Sequence, residues 1–512
     1  MRAGDMGLAL LLASCDGGAD TEKPDTDTVD TDVVDTDVVD TDVIDTEDSG
    51  DSDTDIVANC TVFDGDVVED NLASVCAAGG PVCVTGSVTL EDVSNADLGQ
   101  LSCIVSIDVE LGLYGGDATD LDALGALTSV DWLTLEALPE LAQIQGLAQL
   151  SDVGNVAIYE TGLPNVDGLS ALTEVPGILA LYDNPNLAQI DGLSSVHTVG
   201  SLYLEGNPAL TNLDGLSSLI SADTVQLQAL PLVADLNGLS ALQSVTRLVL
   251  WEVEISDLTG LVALIEPPES IEIFDCDQMQ SLGGLEGYET LGGLWIDGNV
   301  QLQDLDALSD LTAATGYLRF ENSAVTDWSG LSGLTTANGL ILQGNDGLLN
   351  VDALSSLTTV PESLAIGGNP GLLDLDGLHS LTAAGELFIS SNPALANVDG
   401  LYSLTATTGN VIVSDNDLLT HVDGFSALTT IGGSLQVDSN AALLELDGFS
   451  SVTSVTTIVI IDNDVLASLD GLFNATADGV YIHDNAGFSD ADAQALATEV
   501  GAQTVNIGGN GL

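Results

Sequence analysis

Six cysteines, four histidines and eighty carboxylates are the side chains of this sequence with the potential for covalent, metal or acid–base chemistry. Cys60, Cys76, Cys83 and Cys103 lie close together but lack the tight paired spacing of a zinc site, so they are expected to form two disulfides, with all three pairings open. His197, His379, His421 and His483 are scattered along the chain and fall at different repeat positions, so spacing assembles neither a clustered set of ligands nor an acid–base pair. No catalytic constellation emerges, and the chain reads as a non-enzyme.

Carboxylates recur in an Asp-Gly-Leu phrase at Asp167, Asp191, Asp214, Asp376, Asp399 and Asp470, and in its Asp-Gly-Phe form at Asp423 and Asp447. An Asp before Gly is expected to bond the backbone of its own turn. Stacked about 5 Å apart, such groups repel by roughly 0.8 kcal/mol per neighbouring pair even in bulk water. The row Asp376, Asp399, Asp423 and Asp447 is therefore expected to attract weakly bound calcium, and no other cofactor is expected.

The formal charge of -76 excludes two classes of partner. Nucleic acid is bound by releasing counterions with Lys and Arg, and beyond the first residues the chain has only Lys23, Arg247 and Arg319. The same shortage rules out adhesion to anionic lipid heads.

The first residues, Met1-Arg2-Ala3, lead into an apolar run from Met6 and then Leu12-Ala13-Ser14-Cys15. This resembles the signal of bacterial lipoproteins, in which small residues precede a cysteine that is acylated and becomes the mature N-terminus. The resemblance implies a signal peptide over 1–14, lipidation at Cys15, and an envelope location, at the outer membrane or cell surface, with a lipid anchor as the sole membrane attachment. Residues 15–55 repeat Asp-Thr-Asp-Val-Val. With almost no aromatic and one basic residue, Lys23, such a run cannot form a core and repels itself, so a disordered tether reaching at most about 140 Å is expected. A disulfide-stapled cap is expected over 56–120 and a repeat array over 121–512.

The array recurs every 22 to 24 residues. In the copy Leu202-Tyr203-Leu204-Glu205-Gly206-Asn207-Pro208-Ala209-Leu210, Leu-x-Leu has the period of a strand. Leu210, Leu213, Leu216 and Leu219 then follow at a period of three, which suits extended or 3₁₀ turns rather than an α-helix. Val199, Leu202, Leu204 and Asn207 match the leucine-rich repeat pattern, and the Asn-Pro-x-Leu and Asp-Gly-Leu phrases resemble receptor L domains, beside internalin-type repeats. The resemblance implies a mainly β, right-handed solenoid with one long parallel sheet and little α-helix. It also places Cys276 at the Asn position of its coil, buried and structural.

In such a coil the two strand leucines point inward, and the residue between them and the one after the second point outward. Stacking then gathers Tyr159, Tyr182, Tyr203, Trp251, Phe274, Trp295 and Arg319 on one sheet face, although aromatics are only 4% of the chain. Aromatic rings with Arg are the composition of interface hot spots. This face is expected to recognise a protein or glycan partner in adhesion or sensing. A structural envelope protein without a discrete ligand is the alternative, and self-association through the C-terminal edge strand is a further expectation.

Overall fold

Alternation of buried leucines with outward residues makes each coil's first segment a strand, as in Thr198–Glu205, where Leu202 and Leu204 are fully buried. The computed structural model describes residues 60–511, so the expected signal, Cys15 and the tether lie outside the described residues. One sheet of 24 strands runs from Thr61–Phe63 to Thr504–Gly508, with neighbouring strands parallel throughout. The disulfide-bearing segment therefore contributes strands to the same sheet as the leucine repeats. The expected solenoid is the observed fold.

Opposite the sheet, each Asp-Gly-Leu phrase forms a single turn of 3₁₀ helix, as at Asp191–Leu193, Asp214–Leu216 and Asp376–Leu378. Leu210, Leu213, Leu216 and Leu219 all face inward and are buried, so the period of three continues the core that the strand leucines begin. Glycine is needed here for close stacking. A Cβ on Gly400 would lie 1.8 Å from the Leu375 carbonyl oxygen of the preceding coil.

The aspartates of these phrases do not bond their own turns. In several coils the side chain two positions earlier is the acceptor instead: Asp374 Oδ1 takes the Asp376 N–H at 3.1 Å, and Asn397 Oδ1 takes that of Asp399 at 3.1 Å. A side chain two residues upstream closes an Asx turn. The Asp376, Asp399, Asp423 and Asp447 side chains are left exposed.

Between strand and 3₁₀ turn, a left-handed residue reverses the chain, such as Asp183 at φ 48° or Gly206 at φ 63°. The Asn that follows is buried and satisfies backbone groups of its neighbours. Asn207 Nδ2 donates to the Leu181 and Glu205 carbonyls at 2.8 and 2.9 Å, and its Oδ1 accepts the Asn184 N–H at 3.2 Å. The same contacts link Asn369, Asn392, Asn416, Asn440, Asn463, Asn485 and Asn510 without a break. Cys276 occupies this position as expected, fully buried, with its thiol pushed up to about 12 by desolvation.

The two expected disulfides are Cys60–Cys83 and Cys76–Cys103, each joining neighbouring coils at separations of 23 and 27 residues. At the other end, the Ser489 to Val500 segment is a helix, Asp490–Glu499, with a Ser489/Asp492 capping box.

Candidate functional site

Strand register turns scattered residues into rows. One row on the outward face reads Tyr114, Glu136, Tyr159, Tyr182, Glu205, Gln228, Trp251, Phe274, Asp297 and Glu321. A second, two residues earlier on each strand, carries Tyr203, Gln226, Val249, Glu272, Trp295 and Arg319. The seven residues expected to form a ligand surface all lie in these rows, but they form two clusters, separated by the Gln226 and Gln228 strand.

The first cluster is phenolic and acidic. Tyr182 and Tyr203 stack at 6.2 Å with 27° between ring planes, and this covers Tyr203 to 9% exposure. Tyr159 OH donates to Glu136 Oε2 at 3.1 Å, while Tyr114 OH and Thr134 Oγ1 both donate to Glu110 Oε1 at 2.9 Å. Burial, followed by the Glu136 charge, holds the Tyr159 phenol well above its ordinary value. Burial and then Asp183 raise the Glu205 carboxyl.

The second cluster is aromatic and cationic. Phe274 meets Trp295 edge-on at 4.8 Å and Trp251 at 6.1 Å, both geometries that aromatic quadrupoles favour. The Arg319 guanidinium lies 4.8 Å from the Trp295 ring centroid and 4.9 Å from that of Tyr317, on its own strand. At these distances a cation is attracted by the ring face. Trp251 stays 40% exposed, the open end of the group. Beside it, Arg247 makes a bidentate pair with Glu272 through bonds of 2.8 and 2.9 Å. The indole N–H of Trp295 is buried without a hydrogen-bond partner.

Tyr317, Tyr114, Glu110 and Glu272 were not among the expected site residues. A signal for Tyr317 exists in the sequence, because alternation along a strand puts it on the face of Arg319, two residues on.

No family model matches this chain, and no curated protein matches it. Solved structures similar to it include an internalin of Listeria monocytogenes (18% identity, 75% of this chain and 88% of that one, TM-score 0.29). A leucine-rich repeat protein of Leptospira interrogans is 12% identical over 83% of this chain and 89% of its own, with a TM-score of 0.35. The mouse RP105/MD-1 complex is 15% identical over 84% and 87%, at 0.30. At such scores these likenesses bear on neither ligand nor mechanism, and the solenoid fold stands on the strand register described above.

Elsewhere, the histidines stay apart. His379 Nδ1 lies 3.0 Å from the Asp376 carbonyl oxygen, and His421 Nε2 lies 3.5 Å from Asp399 Oδ1. Among the described residues, no group of three or more His, Cys, Asp or Glu side chains is placed to hold a metal ion. An open hollow of about 650 Å³ lies beside Pro267 and Pro268, lined in part by Glu266, Glu269, Glu289 and Tyr288.

Proposed function

We propose that this chain is a surface-tethered recognition module that binds a protein partner through the outward face of its sheet. The observation that carries the reading is the contiguity of Trp251, Phe274, Trp295, Arg319 and Tyr317 on that face. Packed rings beside a guanidinium concentrate binding energy in few residues, and rings left open on a sheet cost solubility unless something covers them. The experiment is capture from cell-surface extracts with the full chain, alongside a glycan array, each repeated with Trp251→Ala/Trp295→Ala. A protein retained by the wild type and lost from the variant supports the reading. Equal retention of every captured protein by both refutes it, and loss of a glycan signal alone moves the module to glycan recognition.

The location belongs to the same proposal. Acylation of Cys15 anchors the chain in the envelope. Metabolic labelling with a fatty-acid analogue tests this, since a label that survives Cys15→Ser removes the anchor.

A structural envelope protein without a discrete ligand is the second reading. It is favoured by apolar residues spread along the solenoid: Leu349, Leu373 and Leu444 are 56%, 56% and 53% exposed. Concentration-dependent assembly of the purified chain, unaffected by the tryptophan variant, is the outcome that selects it.

A further inference from the structure

The ring cluster sits in an acidic frame. Glu252, Glu272, Asp275, Asp297 and Glu321 lie on the strands or strand ends that carry the cluster, which hold two guanidiniums, Arg247 and Arg319, against these five carboxylates. Arg247 is committed to Glu272, and Arg319 is turned onto rings. Asp297 and Glu321 face each other in register on adjacent strands, a spacing of about 4.8 Å. Burial, then the Asp297 charge, raises the Glu321 carboxyl.

We infer that the partner offers a cationic polypeptide segment, whose lysine or arginine stems lie on Trp251, Phe274 and Trp295 and whose heads meet Asp275, Asp297 and Glu321. This deepens the proposed binding face and rests on it. Three observations select this chemistry. The chain's own Arg319 shows that a guanidinium fits against these rings, at 4.8 Å from Trp295. The row next to it sets two carboxylates side by side, which a cation bridges and a neutral sugar leaves charged. The net charge of -76 repels anionic partners and a second copy of this chain, and attracts basic ones over a Debye length.

An acidic protein attracts polycations everywhere, so the test separates the site from the bulk charge. The full chain is titrated with an arginine–serine repeat peptide, its glutamate–serine counterpart and a neutral glucan oligomer, following tryptophan fluorescence and the dissociation constant at two salt concentrations. The site variant is Asp297→Asn/Glu321→Gln. The charge-matched control is Asp423→Asn/Asp447→Asn, on exposed turns away from the sheet face. The expected result is that the arginine peptide perturbs the fluorescence and loses about fivefold or more in affinity with the site variant, against less than about twofold with the control. Equal losses in both variants, or no binding of the arginine peptide, overturn the inference. Binding of the glucan that depends on Trp251 and Trp295, without binding of the arginine peptide, also overturns the cationic class while the binding face itself survives.

Discussion

Asn392 ties three coils together: its Oδ1 accepts the Asn369 N–H at 3.1 Å, its Nδ2 donates to the Ile366 carbonyl at 3.0 Å, and its own N–H reaches Asn416 Oδ1 at 3.1 Å. All of this happens with the side chain fully buried. Asn392→Ala strands a buried donor and carbonyl acceptors, each worth about 1–3 kcal/mol when unmet. A loss of about 3 kcal/mol or more in urea unfolding is expected. Because each coil contacts only its neighbours, hydrogen exchange is expected to quicken around residues 366–416 and stay unchanged near the N-terminal disulfides. Uniform quickening along the chain would contradict the nearest-neighbour account.

At Gly400 the constraint is steric. An added methyl would meet the Leu375 carbonyl oxygen at 1.8 Å, and that atom is backbone of a packed turn. Gly400→Ala is expected to cost about 1–3 kcal/mol or more by overpacking. Gly125→Ala is the control, since its nearest neighbour is the Asp122 carbonyl oxygen at 3.4 Å and its φ is negative. Equal thermal shifts in the two variants would remove the close-stacking explanation for the recurring glycine.

Much of this was legible in the sequence because the repeat couples two independent periods. Leu-x-Leu specifies the strand, and Leu210, Leu213, Leu216 and Leu219 specify the turn face, so the register of Cys276 followed by counting. What was not legible depends on lateral contacts between coils. Cys60 pairs with Cys83, not its other candidates, because strands Thr61–Phe63 and Val82–Val84 are neighbours in the sheet. Tyr203 reads as an outward residue, yet its stack with Tyr182 covers it. The expectation for the Asp-Gly-Leu aspartates failed because the N–H two residues on, the ordinary reach of an Asx turn, is already given to a backbone carbonyl of the 3₁₀ turn, as the Leu378 N–H is to the Leu375 carbonyl at 2.9 Å.

Electrostatics gives the solenoid a definite pH response. Glu205, Glu321 and Asp438 are held above their ordinary values mainly by burial and then by neighbouring carboxylates, Asp183, Asp297 and Asp415 among them, and Asp376, on its exposed turn, is raised by slight desolvation and by the charges of Asp374, Asp399 and Asp352. The folded chain therefore keeps these protons to higher pH than the unfolded chain does. Their stabilising contribution is complete below the ordinary carboxylate range and is lost as pH rises through the folded values. Asp492, lowered by its Ser489 hydrogen bonds, acts with the opposite sign. The expected outcome is a wild-type Tm that falls more between about pH 4 and about pH 7 than that of Glu205→Gln/Glu321→Gln/Asp376→Asn/Asp438→Asn. Parallel curves would show that these groups are not the source. Calcium or added salt is expected to raise the wild-type Tm at neutral pH by screening the Asp376 row, and a flat response discards that expectation.

The sharpest separation of fold from recognition lies between two aromatic residues on adjacent strands. Phe320 points inward, fully buried, and its ring meets Trp328 at 5.5 Å. Trp295, on the neighbouring strand, points outward and packs against Phe274 and the Arg319 guanidinium. Phe320→Ala therefore opens a core cavity and is expected to cost about 3–5 kcal/mol. Trp295→Ala forfeits one edge-on pair and one cation–π contact, together about 1–2 kcal/mol, and leaves the strand leucines in place. Urea unfolding of the two variants measures the difference. A Trp295→Ala loss as large as that of Phe320→Ala would make this ring a structural element of the fold, and the recognition face would have to be sought elsewhere on the sheet.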